Sequence, residues 1–245
     1  MSTYVDLHRK VLVGHLDLTS LCHAAQFGPM ATAMVPFNNW GAGGYEEVKP
    51  GLKSSSFTAD LYQDFAADVL DDEVGSALGT QYPVTQIPFP SGTVTVGDPG
   101  YFSRGILTTY GPLDGAHGEA AKARLSVKSD TVVVRGTVAH PSAARTTTGN
   151  GTIYALTGPT TSQRLYAALH VTDYSGLTNV VIKVQSDDGV GFGTPTDRLT
   201  LTTITGTTSQ FSSVAGYGAT ETHHRIVYTL TGIGSVTFTV LLGVL

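Results

Sequence analysis

The sequence predicts a mainly β fold, an antiparallel β-sandwich or barrel with one amphipathic helix and one long loop. From residue 129 onward, short runs rich in Val, Ile, Thr and Tyr alternate with clusters of Gly, Ser, Asn and Asp, a pattern typical of antiparallel strands joined by turns. Residues 61–78 have apolar residues at helical spacing. The Gly-rich stretch 36–50 predicts the loop.

The second part of the chain is predicted to hold seven strands, enough for a complete sandwich. They cover residues 131–139, 152–157, 164–173, 179–186, 197–205, 223–231 and 235–243. Ser175-Gly176 predicts a turn, and Thr231-Gly232-Ile233-Gly234 predicts a tight hairpin between the last two strands. The closing run VTFTVLLGVL becomes wholly apolar, which predicts a final strand covered on both faces.

The helix over 61–78 is predicted to begin at Asp60 as its N-cap and to bury Leu61, Phe65 and Leu70. Acidic residues every four positions would then form a stripe on its other side. The candidate acidic patch consists of Asp60, Asp64, Asp68, Asp71, Asp72 and Glu73. Two interpretations stand: a solvated helix face near a positive dipole end, or a face kept negative for a purpose.

The charge content is low for a soluble protein. Charged residues make up 13% of the 245 residues, about half of the usual share of roughly 25%. A weakly charged surface suggests area that other subunits or partners cover. The formal net charge of −5 lies wholly in residues 1–140, and no cluster of Lys and Arg is evident, which argues against a nucleic-acid-binding protein.

The cysteine content and the lack of long apolar runs narrow the class of protein further. The single cysteine, Cys22, excludes an internal disulfide framework. The N-terminus carries no apolar run behind its charges, and no run of about 18 apolar residues occurs, so neither a signal peptide nor a membrane anchor is expected.

No constellation of residues indicates catalysis. The eight histidines lack zinc-site spacing, and neither a nucleophile elbow nor a phosphate-binding loop occurs. The loop with Asp187 and Asp188 has two carboxylates and several glycines, but its spacing fits a hairpin connection better than a calcium site. We therefore expect no catalytic residue, metal or cofactor, and no enzyme activity.

Four sequence segments resemble a known family. Pro50-Gly51-Leu52-Lys53-Ser54-Ser55-Ser56-Phe57-Thr58-Ala59, after a Gly-rich loop, resembles the tail-tube (major tail) proteins of long-tailed, non-contractile bacteriophages, where a loop ends in a Gly-Leu-Lys-like turn before a strand. Leu165–Val171, Val184–Asp188 and Tyr228–Gly232 resemble C-terminal portions of phage tail proteins. These segments are sheet and turn motifs and cover about half of the chain.

The resemblance implies a structural virion protein that assembles into closed rings, usually hexameric, which stack into a tube. Loop 36–50 would be the stacking loop, with Asn39, Trp40, Tyr45, Pro50, Gly51 and Leu52 as candidate interface residues. Partners would be other copies of the chain and further tail proteins, namely the tape measure, the terminator and the distal tail protein. DNA would pass through the lumen without specific binding. The protein would be made in the host cytoplasm and reside in the virion tail.

The length of the chain leaves its organisation open. We expect a tail-tube-like part over residues 1–140 and, over 141–245, sandwich-like strands that complete or decorate the tube fold. Two tube-like units in a trimeric ring is a third arrangement. The alternative function is a β-sandwich module of a phage particle for receptor binding or surface decoration, for which an exposed Trp40 would be a partner contact.

Overall fold

The computed structural model describes residues 8–37, 47–66, 70–89 and 92–245, and it confirms the mainly β fold. Within those residues there is one helix, α1 (Leu70–Gly75). The strands are β1 (Arg9–Val13), β2 (Leu16–Asp17), β3 (Cys22–Phe27), β4 (Ala31–Phe37), β5 (Glu47–Ser54), β6 (Ser56–Tyr62), β7 (Gln81–Pro88), β8 (Pro99–Asp114), β9 (Lys122–Ser129), β10 (Val134–Arg145), β11 (Gly149–Asn150), β12 (Tyr154–Ala155), β13 (Arg164–Asp187), β14 (Thr196–Thr200), β15 (Thr208–Ala215) and β16 (His223–Val244).

One branched antiparallel sheet connects almost all of these strands. Its main path runs β14-β13-β16-β10-β8-β7-β1-β2, and a branch leaves β8 through β9 and β6 to β3. β15 adds to β13, whereas β11 and β12 add to β16. The hairpin β4–β5 forms a separate two-stranded sheet.

The long strand β8 allows the first half of the chain, from β1 to β9, to enclose its own apolar core. Its early residues pair with β7 and β10, and its later residues pair with β9, so β8 belongs to both branches. Strand β6 alternates strictly, with Phe57, Ala59 and Leu61 buried and the residues between them partly exposed. Helix α1 adds Leu70 and Val74 to the same apolar cluster.

In the second half of the chain, from β10 to β16, the two longest strands, β13 and β16, pair to form one long two-stranded ribbon. β13 and β16 stay in antiparallel register from Leu165↔Val244 to Asp187↔His223. The predicted turn at Ser175-Gly176 and the predicted hairpin at 231–234 are therefore wrong, because both segments lie inside continuous strands. They bend the ribbon at register shifts, where Gly176 and Gly232 take positive φ values of 72° and 102°.

The bent ribbon encloses the second core. Val171 and Phe238, on one arm of the ribbon, share an apolar cluster with Ile182 and Tyr228 on the other arm. Leu241 points the opposite way, into a cluster with Phe102 and Ala168. Because Val240, Leu241 and Leu242 are all fully buried, the prediction of a final strand covered on both faces is confirmed.

The predicted helix 61–78 is too long. Leu61 and Tyr62 end strand β6, Asp60 lies within that strand rather than at an N-cap, and α1 covers only Leu70–Gly75. Phe65 is exposed, so it does not belong to an apolar helix face. Among the described members of the acidic stripe, Asp60 lies in a strand, Asp64 in a connection and Asp72 in the short helix, so these three do not share one helix face.

Other boundaries also shift. Strand 152–157 shortens to Tyr154–Ala155, strand 197–205 to Thr196–Thr200, and β15 was not predicted. Both ends of the predicted loop 36–50 belong to β4 and β5, and Pro50–Lys53 is strand rather than turn. The division at residues 140 and 141 falls within β10, which pairs with β8 and β16. In the part of the chain that the structure describes, no helix has the length and apolar character needed to cross a membrane.

Candidate assembly surfaces

The hairpin β4–β5 presents apolar side chains to solvent. Met30, Met34 and Leu52 are 67%, 59% and 86% exposed. The hairpin follows β3 and leads into β6 without pairing to either, because its two strands pair only with each other among the described residues. Met30 directly precedes β4, and exposed apolar side chains grouped on and beside one hairpin are typical of a contact surface.

The predicted stacking residues divide between this hairpin and undescribed parts of the chain. Asn39, Trp40 and Tyr45 lie outside the described residues. Pro50, Gly51 and Leu52 all lie on β5. Their common role in stacking stays a prediction.

A free strand edge lies beside the hairpin. β3 pairs with β6 on one side, and among the described strands none pairs with its other side. There the carbonyl of Ala25 accepts hydrogen bonds from side chains, Arg9 Nη1 and Gln86 Nε2. These two side chains occupy the Ala25 carbonyl, and an edge strand without a paired neighbour can accept another strand at its remaining backbone groups.

The acids of the candidate patch have different surroundings. Asp60 is paired with the guanidinium of Arg124, and this hydrogen bond lowers the pKa of the Asp60 carboxyl. Asp64 accepts a hydrogen bond from the backbone N–H of Ala66. Asp68 lies outside the described residues.

The helical acids contact the first core. Asp71 accepts hydrogen bonds from the Tyr110 hydroxyl at 2.8 Å and from Gln63 Nε2 at 2.9 Å. Burial raises the pKa of Tyr110 to about 12, which keeps this phenol a hydrogen-bond donor. Glu73 lies 3.3 Å from His15 Nε2. Asp71 and Glu73 thus fasten α1 to the sheet.

His170 joins the two halves of the chain and was not singled out from the sequence. It is fully buried on β13, its Nδ1 is 2.6 Å from the Gly14 carbonyl, and its Nε2 is 2.7 Å from the Thr85 hydroxyl. Because a carbonyl only accepts, we assign the proton to Nδ1, and Thr85 donates to Nε2. Burial lowers the pKa of His170 to about 4, so it is neutral at neutral pH.

Two further buried histidines, on β10 and β16, are also held neutral. Arg145 Nε donates to Nε2 of His140 at 3.0 Å, and burial followed by the charge of Arg145 lowers the pKa of His140 to about 4. The Tyr217 hydroxyl lies 2.6 Å from Nε2 of His224, whose pKa burial likewise lowers to about 4. The partners are close in sequence, Arg145 five residues after His140 and Tyr217 seven residues before His224, but no motif marks either contact.

The polar clusters in the second half of the chain make hydrogen bonds and ion pairs within the fold. Asp187 accepts hydrogen bonds from the N–H groups of Gly189 and Thr194, both at 2.9 Å, which closes the Asp-Asp-Gly connection as a hairpin loop. Arg198 pairs with Glu221 and lies over the ring of Tyr217 at 4.1 Å. Within the described ranges, no group of three His, Cys, Asp or Glu side chains could hold a metal ion.

No family model matches the chain, and no curated protein matches it. Several solved structures are similar to it. The sheath/tube terminator of PVC, an extracellular contractile injection system, is 13% identical with a TM-score of 0.44 over 55% of this chain and 97% of that one. The Dit protein of SPP1, described as a hub adsorption apparatus of phages that infect Gram-positive bacteria, is 12% identical with a TM-score of 0.38 over 97% of this chain and 99% of that one.

A chain of the native gene transfer agent virion is 17% identical with a TM-score of 0.36 over 51% of this chain and 93% of its own length. These neighbours are components of tails, hubs and tubes, the class of protein that the sequence resembles.

Proposed function

We propose that this chain is a structural subunit of a phage-type virion tail that self-assembles into stacked rings around a channel for DNA. The observation that carries the proposal is the hairpin β4–β5, which forms a two-stranded sheet of its own with Met34 and Leu52 exposed. Water-exposed apolar side chains on an element that contributes little to either core are best explained by contact with another subunit.

The free edge of β3 supports lateral assembly in the same proposal. An unpaired strand edge is an aggregation hazard unless another strand or element covers it. In a closed ring of identical subunits, every such edge meets a neighbour and none is left open. The usual hexameric ring, and association with a tape measure, a terminator and a distal tail protein, follow from the sequence resemblance.

The low charge of the chain supports the same role. The proposed assembly covers much of the uncharged surface, and DNA passes without specific binding. The candidate acidic patch contributes less negative charge than its sequence suggests, because the guanidinium of Arg124 pairs with Asp60.

The hairpin is tested with the double variant Met34→Ser, Leu52→Ser. Sedimentation of the wild-type chain should give species far heavier than the 25.6 kDa monomer. Loss of two apolar contacts of about 1.5–3 kcal/mol each should lower the association constant at least tenfold. Val190→Ser is the matched control, since Val190 is 68% exposed on a loop of the second half and should not affect assembly. A wild-type chain that stays monomeric at high concentration contradicts the proposal.

The second half also has its own core, around Phe238 and Ile182. This observation favours one alternative, a β-sandwich module of a phage particle for receptor binding or decoration. Such a module would form compact monomers or trimers that bind a glycan, so particle shape separates the two functions.

A further inference from the structure

Six strands of the branched sheet have a partner on one side only, among the residues that the structure describes. Three of them, β2, β11 and β12, are two residues long. A fourth, β14, carries Asp197 and Arg198, whose side chains pair with Lys183 and Glu221. Short length and charged side chains are the usual protection of an open edge against pairing with another chain. These four edges are therefore protected.

The other two open edges, β3 and β15, lack this protection. β3 is six residues long and β15 is eight residues long, and neither contains Asp, Glu, Lys, Arg or Pro. β15 pairs with β13 without a register shift, from Arg164↔Ala215 to Val171↔Thr208. A long, regular and uncharged edge is the kind that another strand can join.

The register of β15 indicates which of its backbone groups are open. Directly after this strand, the N–H of Gly216 donates to the carbonyl of Gln163 at 2.9 Å, so the backbone of Gly216 faces β13. Because backbone groups alternate in direction along an antiparallel strand, every second residue of β15 turns its N–H and C=O away from β13. These residues are Ser209, Phe211, Ser213 and Ala215. Within the described parts of the chain, no hydrogen bond to these backbone groups is present.

Open space lies beside both edges. A groove of about 280 Å³ is lined by Ser209, Phe211 and Ser212 of β15 and by Gln81 and Pro83 of β7. A groove of about 610 Å³ is lined by residues of β3, β1 and β6. There is therefore room for an incoming strand beside each edge.

We propose that β15 of one copy pairs with β3 of the next copy, which continues the sheet across the subunit boundary. This inference rests on the ring assembly proposed above and names the two surfaces of its lateral contact. A closed ring needs a head-to-tail contact between two different surfaces, and β3 and β15 belong to different halves of the chain. Pairing of β15 with β15 would instead join two copies into a twofold dimer and leave β3 open.

Cross-linking between single-cysteine chains tests this pairing. The first chain carries Cys22→Ser and Ala24→Cys on β3, and the second carries Cys22→Ser and Ser213→Cys on β15. The two chains are mixed before assembly and treated with a short bismaleimide. The mixture should give covalent dimers, and each chain alone should give at least tenfold less product. A matched control has Thr196→Cys on the protected edge of β14 in place of Ser213→Cys, and its mixture should give no more product than the single chains.

A proline on β15 tests the backbone contact itself. Ser213→Pro removes an N–H that points away from β13, so it should raise the concentration needed for assembly at least tenfold while the urea midpoint stays close to that of the wild type. Ser212→Pro removes an N–H that faces β13, so it should lower the urea midpoint. Equal urea midpoints of the two variants would contradict the assigned direction of the backbone groups.

Three outcomes overturn the inference. They are as much product from either single-cysteine chain alone as from the mixture, as much product with Thr196→Cys as with Ser213→Cys, and unchanged assembly of Ser213→Pro. Electron microscopy of the same mixtures separates this inference from the tail role. Rings without the cross-link leave the tail role intact and overturn the edge pairing, whereas cross-linked chains that never close into rings leave the pairing intact and contradict the ring. Neither rings nor cross-linked dimers would overturn both.

Discussion

At the scale of single residues, the main finding is that three histidines are buried where the sequence shows no pattern. His140, His170 and His224 lie on different strands, and each has its pKa lowered to about 4, first of all by burial. His170 bonds to Gly14 and Thr85, which belong to the other half of the chain. The neutral imidazole of His170 therefore links the two halves of the chain by hydrogen bonds.

We predict that acid destabilises the fold between pH 6.5 and pH 4. In this window the histidines of the unfolded chain, with their ordinary pKa near 6.5, bind protons, whereas the buried histidines of the folded chain stay unprotonated. The free energy of unfolding should then fall by about 1.4 kcal/mol per pH unit for each histidine. Urea unfolding at several pH values measures this fall.

The carboxyl groups act in a different window. Hydrogen bonds from Arg124 and Lys183 lower the pKa values of Asp60 and Asp197, so their contribution is lost only below about pH 4. His117→Gln, at an exposed position, should leave the pH profile unchanged, whereas His170→Gln should flatten it. A stability that stays constant from pH 7 to pH 4.5 contradicts the assignment of buried neutral histidines.

At the scale of elements, the sequence predicts well which segments are strands. It does not predict where two such segments join into one continuous strand. Alternating Val, Thr and Tyr residues indicate strands at 164–173 and 179–186, but Ser175-Gly176 also has the composition of a turn. Two glycine-containing segments face each other across β13 and β16, so the chain bends there without reversing. Cross-strand register decides between a bend and a turn, and a single sequence does not carry it.

The helix prediction failed for a related reason. Leu61, Phe65 and Leu70 have helical spacing, yet β6 continues through Tyr62 because Leu61 fills the core between β3 and β9. Tertiary burial overrode local periodicity. The helix that remains, α1, keeps Leu70 and Val74 as its buried residues.

We predict that Gly234→Ala severely disturbs the ribbon. A Cβ at this position would lie 1.9 Å from the carbonyl oxygen of Ser175 on the facing strand. The backbone would have to move, at a cost of about 2–4 kcal/mol in the free energy of unfolding. Urea denaturation measures the loss. Gly206→Ala is the control, because no atom lies within 4 Å of its Cβ, and equal effects of both changes would contradict a continuous bent ribbon.

At the scale of the whole molecule, composition was a better guide than any motif. A charge content of 13% indicated covered surface, and the structure adds where such a surface can be, namely the β4–β5 hairpin and the β3 edge. The predicted interface residues Pro50 to Leu52 lie on that hairpin.

Negative-stain electron microscopy of the purified full chain tests the central claim most directly. If the protein is a tail-tube subunit, the images should show rings with a central hole, and stacks of them at higher concentration. Compact particles without a hole, at every concentration, would contradict the account and favour the sandwich module.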